Sequence, residues 1–346
     1  MMTPYHKILV IKTRAIGDTV IWTSALAKLR KTYPQAEIHA LTYSMNKDIL
    51  SHSQFINKLH LVDTNSKWSL VQKLWSLRRE KFDLLLGFHV SGTLCKFAGL
   101  TGAKDIVLHH HSRQETPWIS TKEVPQAGHL EDAITRDYRV LEAIGLDPLP
   151  HELTHIDLTS EEIAWAQKTA REKILEFGGD PQKKYFIFLP GASYSLKIYP
   201  KDLWTPVVKK IRDEGIYQPL VFCDPKLSKE WNMPELCKEL KVPFIDSVSL
   251  RQFIALISTG SIALSNDSSP GHIAAALGVR THFIFGPACI GDWFCYDRKQ
   301  HTYHRIDVPC RLEGPRDQEQ FQFCTVTSCT HHSCMRKIDL LQIKNW

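Results

Sequence analysis

The chain has 346 residues, of which 43% are hydrophobic and 23% are charged. This length exceeds that of one typical compact domain, so two domains are expected, and the composition excludes an intrinsically disordered protein. The 43 basic and 37 acidic residues give a formal net charge of +6. That charge suits an anionic small molecule or an acidic membrane surface, and it is too small to indicate a nucleic acid partner.

The sequence contains neither a run of about 18 apolar residues nor a signal-peptide pattern before its first predicted strand. We therefore expect a cytoplasmic protein. In that compartment the nine cysteines are expected to be mostly reduced thiols.

Patterns of strands and helices alternate along the first half of the chain. The apolar run 7–12 predicts a buried parallel strand, and 18–33 predicts an amphipathic helix. Further strands are predicted at 37–41, 58–62 and 82–86, with a helix at about 70–80. Strands separated by helices indicate a parallel sheet.

The turn between the first predicted strand and helix ends in Gly17 and Asp18. A strand, a tight turn and a helix are how doubly wound sheets present a ligand loop. Gly17 would permit the turn. Asp18 could cap the first helical turn or project into a cleft.

Two groups of basic residues could receive phosphates, although a run of charges is more often a solvated face. They are Lys67, Arg78, Arg79 and Lys81, and His109, His110, His111 and Arg113. A metal site at the three histidines is disfavoured because consecutive residues rarely converge on one ion.

Residues 145–161 are rich in proline and polar residues and are predicted to link two domains. Beyond them, helices predicted at 163–177, 203–214, 234–240 and 250–258 alternate with strands at 185–189 and 219–222. The predicted divisions are a domain at 1–150, a domain at 151–322, and a cysteine-containing tail at 323–346 that ends in a helix.

The stretch 261–287 predicts a strand, a polar loop, a helix and a second strand. A loop that leads from a parallel strand into a helix N-terminus favours an anion such as phosphate. Asp267 in this loop would repel a phosphate. It is therefore assigned either to sugar hydroxyls or to capping the helix together with Ser268 and Ser269.

Residues 266–278, NDSSPGHIAAALG, followed by Phe285-Gly286-Pro287, resemble the donor-binding signature of glycosyltransferase family 9, the lipopolysaccharide heptosyltransferases. The family pattern has threonine in place of Ser268 and glycine in place of Ser269. The turn ending in Gly17-Asp18 and the segment 190–200, PGASYSLKIYP, also resemble that family. In the latter segment Tyr199 replaces a tryptophan.

This resemblance implies a GT-B fold, that is, two facing Rossmann-like α/β domains with parallel sheets and an interdomain cleft. It implies an inverting transferase, without a cofactor or metal, that moves a heptose from ADP-heptose to a lipopolysaccharide core acceptor (lipid A-Kdo/heptose). The implied location is the cytoplasmic face of the inner membrane, in peripheral contact with it, and a monomer is expected. Asp18 would be the general base, and Lys197 would stabilise the leaving diphosphate. On spacing alone, Asp18 could instead be a cap and Lys197 a surface lysine.

The same resemblance implies the other site residues. Those at the donor are Thr13, Gly17, Ser193, Val248, Asp267, Ser268, Ser269 and His272, and those at the acceptor are Lys67, His89 and Arg113. His89 matches part of a His-x-Ser-x-Arg pattern, but Thr93 replaces the arginine, and a structural histidine fits equally well. His272 would orient the loop or a phosphate. Asp224, which follows another predicted strand, is a candidate ribose partner.

The last part of the chain, from residue 309 onward, carries Cys310, Cys324, Cys329 and Cys334, and cysteine-rich tails occur across the family. A zinc or iron–sulfur site is the alternative, but the spacing lacks a Cys-x-x-Cys pair, so no metal is expected.

Two other functions stay open. One is a transferase of the same fold that uses another nucleotide-sugar, such as a nucleotide-hexose. The other is a nucleotide-sugar-binding protein without catalysis. A dinucleotide-dependent dehydrogenase is disfavoured because residues 13–18 contain one glycine and not G-x-G-x-x-G.

Overall fold

A computed structural model describes residues 5–13, 15–63, 66–110, 118–125, 131–310, 322–344 and 346. The chain divides into two compact units, Met1–Asp157 and Leu158–Trp346. Each unit contains one parallel sheet with helices, which confirms the predicted α/β class. The division falls within the segment 145–161, and the tail 323–346 belongs to the second unit.

The first unit is built on a five-stranded parallel sheet with the order β3-β2-β1-β4-β5. Its strands are β1 (Lys7–Ile11), β2 (Glu37–Tyr43), β3 (Lys58–Val62), β4 (Leu84–Val90) and β5 (Asp105–His110). All residues of β1 after Lys7 are buried, as expected for a central strand that is covered on both faces.

Helices cover both faces of this sheet. They are α1 (Ile16–Thr32), α2 (Lys47–Leu50), α3 (Lys67–Leu77), α4 (Gly92–Phe97) and α5 (Ala133–Glu142). Helices α1 and α5 pack against each other. Helices α3 and α4 contribute Leu70, Leu74 and Leu94 to an apolar core that also contains Leu9 and Leu85 of the sheet.

The second unit is built on a six-stranded parallel sheet with the order β11-β10-β9-β6-β7-β8. Its strands are β6 (Tyr185–Leu189), β7 (Gln218–Phe222), β8 (Phe244–Ile245), β9 (Gly260–Asn266), β10 (Arg280–Ile284) and β11 (Thr302–His304). Its helices are α6 (Ser160–Glu176), α7 (Lys201–Glu214), α8 (Pro225–Trp231), α9 (Met233–Leu240), α10 (Leu250–Ile257), α11 (Ser269–Ala276), α12 (Ile290–Trp293) and α13 (Ser333–Arg336).

The end of the tail differs from the helix predicted there. After α13 the chain forms only a single 3-10 turn, Leu340–Gln342. Met335, Leu340 and Trp346 are buried in the main core of the second unit. A Cβ at Gly286 would lie 2.7 Å from the Met335 sulfur, so the absent side chain of Gly286 makes room for the tail. The tail is therefore part of the core.

The start of α1 also differs from the prediction. Gly17 and Asp18 lie inside the first helical turn and not in a turn before it, because the helix begins at Ile16 with Ala15 as its N-cap. The Ala15 carbonyl accepts the hydrogen bond from the Thr19 N–H at 3.0 Å.

The described helices include none that is both long and apolar enough to cross a lipid bilayer.

Candidate functional site

A cavity of about 290 Å³ lies where several strands of the second sheet end. Because parallel strands end at the same edge, the loops after β6, β7 and β8 and the first turn of α11 meet there. Three of the predicted donor-binding residues, Ser193, Val248 and Ser269, line this cavity. The other lining residues are Leu189, Gly191, Ala192, Phe222, Cys223, Asp224, Pro225, Ser247, Leu250, Phe253 and Pro270.

The cavity combines an apolar wall with a carboxylate. The rings of Phe222 and Phe253 meet edge to face, with their centroids 6.4 Å apart. Asp224 caps α8, because its Oδ1 accepts two backbone hydrogen bonds at 3.0 Å. A Cβ at Gly191 would lie 3.1 Å from Asp224 Oδ2. Glycine at this position therefore lets the loop after β6 approach the Asp224 carboxylate closely.

Lys197 and Asp267 form an ion pair next to this cavity. Lys197 Nζ lies 2.6 Å from Asp267 Oδ2, and the two side chains are 26% and 2% exposed. The lysine lies in the loop after β6 and the aspartate follows β9, its neighbour in the sheet. An ammonium group carries three donors. Lys197 can therefore remain paired with Asp267 while it contacts an anion.

The polar residues before α11 tie two loops together. Asn266 accepts a hydrogen bond from the Tyr199 N–H at 3.0 Å and donates one to the Pro190 carbonyl at 2.6 Å. Ser268 donates to the Gly191 carbonyl at 2.9 Å. Ser268 is the N-cap residue of α11, yet its side chain makes no capping hydrogen bond. The capping alternative is therefore not realised at Ser268.

His272 lies buried in α11 behind the ion pair. Its Nδ1 is 2.7 Å from the Tyr296 hydroxyl, and its Nε2 is 3.9 Å from Asp267 Oδ1. Burial raises the pKa of the Tyr296 hydroxyl well above its usual range, so this phenol stays neutral. His272 therefore lies between the Tyr296 hydroxyl and the Asp267 carboxylate.

The tail supports the loop that carries Lys197. The Tyr194 hydroxyl donates to the Val326 carbonyl at 2.6 Å, and His332 Nε2–H donates to the Leu196 carbonyl at 2.7 Å. Both loop residues in these contacts, Tyr194 and Leu196, lie within the three positions before Lys197. Together they give the tail a supporting role that its cysteine content did not suggest.

The tail cysteines surround a second cavity of about 200 Å³. Its lining includes Cys310, Cys324, Cys329, Cys334, His331 and His332. No disulfide joins the nine cysteines, all of which lie in the described residues. Within the described ranges, the group with three metal-ligating atoms inside 4.8 Å of one another is Glu37, His39 and Glu80. Lys7 Nζ lies 3.2 Å and 2.6 Å from those two carboxylates, and Lys58 Nζ lies 3.0 Å from Glu80, so two lysines already balance the two negative charges.

Asp18 lies at the carboxyl edge of the first sheet. It is half-buried in the first turn of α1, where unpaired backbone N–H groups favour a carboxylate. Thr13 follows β1 and is buried. Nearby, Lys12 Nζ lies 2.5 Å from Asp137 Oδ2, and both side chains are 3% exposed. Burial raises the pKa of the Asp137 carboxyl, the Lys12 ammonium opposes that rise, and the Asp18 charge adds to it.

The structure describes two of the three predicted acceptor residues, His89 and Lys67. His89 has a φ of 52° next to a register shift in β4, and its ring stands perpendicular to that of His109 at 6.0 Å. Burial lowers the pKa of His109 to about 4. Lys67 is the exposed first residue of α3. Arg113 lies outside the described residues.

Sequence reasoning missed three residues that the structure places at these sites. Lys12 and Asp137 form the buried pair close to Asp18. The available signal was Lys12 itself, a lysine that directly follows the apolar residues of the first strand. Tyr296, the partner of His272, had no signal in the sequence, since it lies in a segment without periodicity.

Comparisons with known proteins agree with this architecture. The family model of glycosyltransferase family 9 (heptosyltransferase) matches residues 71–314, which is more than half of the chain. Lipopolysaccharide heptosyltransferase 3 from Escherichia coli is 25% identical over 284 residues, which cover 78% of this chain and 80% of the relative.

Two solved structures extend the comparison to three dimensions. A family 9 glycosyl transferase from Veillonella parvula has a TM-score of 0.72 at 21% identity, covering 85% of this chain and 84% of its own. The ADP-heptose lps heptosyltransferase II from Escherichia coli has a TM-score of 0.70 at 19% identity, covering 87% and 91%. These similarities confirm the predicted GT-B fold.

Proposed function

The chain belongs to glycosyltransferase family 9, and from this premise we propose that it moves a heptose from ADP-heptose to a lipopolysaccharide core acceptor with inversion at the anomeric carbon. The observation that best supports the donor half of the proposal is the cavity at the edge of the second sheet. It joins an apolar wall to the loop that carries Lys197.

Each part of the ADP moiety of the donor has a suitable partner at or beside this cavity. The adenine would pack beside Phe222 and Val248, because pockets for such rings are largely apolar with few polar groups. The ribose hydroxyls would reach the Asp224 carboxylate. The diphosphate would lie at Lys197 and at the backbone N–H groups of Ser268 and Ser269, which begin α11.

The proposed reaction is a single displacement. The acceptor hydroxyl oxygen attacks the anomeric carbon while the bond from that carbon to the diphosphate oxygen breaks. Asp18 takes the hydroxyl proton as general base. Lys197 and the N–H groups at the start of α11 stabilise the negative charge that develops on the leaving diphosphate. His272 acts indirectly, by holding Asp267 and hence the lysine in place.

We further propose that the reaction needs no metal or cofactor, because Lys197 and backbone donors can take the charge that a divalent ion would otherwise neutralise. Activity that survives an excess of EDTA is the expected result. Because the proposed acceptor is lipid-linked, we propose that the reaction takes place at the cytoplasmic face of the inner membrane, with the enzyme in peripheral contact with it. We also propose that the enzyme is a monomer.

Calorimetric titration with ADP, GDP and UDP tests the donor site directly. Selective binding of ADP is expected, followed by turnover of ADP-heptose when a heptose-accepting core is added. A preference for GDP or UDP would move the donor within the same fold. Binding of ADP without turnover of any donor would favour a non-catalytic binding protein, and the absence of nucleotide binding would refute the proposal.

The second candidate function is a transferase that uses a nucleotide-hexose. Ser269 favours it, since this residue lines the cavity and adds a side chain where the family pattern has glycine. A nucleotide-hexose that turns over faster than ADP-heptose would select this candidate.

A further inference from the structure

Helix α3 presents tryptophan to the solvent. Its leucines at positions 70, 74 and 77 are buried against the sheet, while Trp68 and Trp75 are 74% and 61% exposed. These tryptophans are seven residues apart and so lie on one side of the helix. A helix on a protein surface normally carries polar residues there.

Two more aromatic side chains are exposed on segments that pack against the same apolar core as α3. Helix α3 packs against α4, whose last residue, Phe97, is 38% exposed. Trp118 is 84% exposed, and its neighbour Ile119 packs onto the apolar core shared by α3 and α4, with its side chain beside Gly99. We call Trp68, Trp75, Phe97 and Trp118 the aromatic face. Exposed apolar groups gathered in this way mark an interaction surface.

The backbone segments under the aromatic face carry charge of one sign. Residues 66–79 contain four lysines and arginines and no aspartate or glutamate, and α4 carries Lys96. Lys104, further along the chain, is paired with Asp83 at 2.8 Å. The Arg78 guanidinium lies 5.9 Å from the Trp75 ring centroid. Tryptophan favours the lipid–water interface, and clustered lysine and arginine favour anionic headgroups.

From this combination we propose that the aromatic face docks onto the surface of an anionic lipid bilayer. The tryptophans enter the headgroup region, and the surrounding basic side chains contact lipid phosphates. This proposal rests on the proposed function in one respect: a lipid-linked acceptor gives the enzyme a reason to bind a bilayer. Lys67 links the aromatic face to the predicted acceptor residues, because it begins α3 at the edge of the sheet where Thr13 also lies.

Co-sedimentation of the full chain with phosphatidylcholine vesicles, with and without about a third of phosphatidylglycerol, tests the proposal. The wild type should bind the anionic vesicles and be released by high salt. W68S/W75S should bind at least about tenfold more weakly, and R79Q/K96Q roughly tenfold more weakly. L153S is the matched control, because Leu153 is 79% exposed in the same unit but is not part of the aromatic face. Its neighbour Glu152 contacts α1. L153S should bind the vesicles as the wild type does.

W68S/W75S should have the same circular dichroism melt as the wild type, and it should turn over an acceptor without acyl chains at the same rate. These two controls separate loss of docking from loss of folding. Wild-type protein that stays in the supernatant, or W68S/W75S that binds vesicles normally, would overturn the proposal. A wild-type dimer that W68S/W75S converts to monomer, with no vesicle binding, would assign the face to a protein contact instead. Failure of ADP binding would affect the proposed function alone.

Discussion

Replacing Lys197 by alanine should weaken ADP binding in two separable ways. The first is loss of a charge-assisted contact to the diphosphate, which contributes about 1.5–3 kcal/mol. Since 1.4 kcal/mol is about tenfold in affinity, the dissociation constant should rise roughly 10- to 150-fold.

The second effect comes from Asp267, which the substitution leaves without its cation. Its carboxylate is 2% exposed, so water screens it poorly and its charge repels the diphosphate. Changing Asp267 to asparagine removes that charge at nearly constant shape. We therefore expect K197A/D267N to bind ADP at least about twofold more tightly than K197A, because paired residues commonly couple by about 0.5–3 kcal/mol.

The assay is calorimetric titration of ADP into the wild type, both single variants and the double variant. K184A is the matched control, since Lys184 is exposed just before the opposite end of β6, and its affinity should be unchanged. An unchanged affinity in K197A would remove the lysine from the site. A double variant as weak as K197A, or weaker, would show that Asp267 does not face the donor.

Three further predictions follow from the same structure. D18N should bind ADP normally and turn over at least about a hundredfold more slowly; weakened ADP binding would indicate a structural role instead. K12M should lower the free energy of unfolding by about 3–5 kcal/mol in urea melts, because it leaves the buried Asp137 carboxyl without its cation, and K12M/D137L should recover most of that loss; equal stability of wild type and K12M would refute this. Five buried or half-buried histidines have pKa values lowered by burial to about 3 or 4: His60, His109, His282, His301 and His304. Since the unfolded chain takes up those protons first, stability should be full above pH 6.5 and fall as the pH drops toward 4, by up to about 1.4 kcal/mol per pH unit for each histidine. Urea midpoints that are flat from pH 7.5 to 5 would contradict it.

The sheets were predictable because buried parallel strands are short apolar runs, and that signal is local. Strand β6, for instance, has the predicted bounds 185–189. The edge strand β5 was not predicted, since histidines end it and read as a basic cluster. Helix α5 was missed although Tyr138 and Val140 are buried, because its charged residues interrupt the apolar pattern.

The site was predictable as a set of loops and not as a set of contacts. Resemblance to a family located Lys197 and Asp267, but nothing in the sequence indicates that these two residues, 70 positions apart, form a pair. The same holds for the contacts of Tyr194 and Leu196 with the tail, and for Lys12 with Asp137. Contacts of this kind depend on which strands become neighbours, and that order is a property of the whole sheet.

The burial of the tail has a consequence for the order of events during synthesis. The core of the second unit combines Phe186 and Phe188 of β6 with Met335 and Trp346. At roughly 5–20 residues per second, a ribosome needs about 8–30 s to travel from β6 to Met335. The first unit can close its own core long before then. During that interval the nascent second unit holds its apolar strands without their final cover, so slower translation should increase its dependence on chaperones.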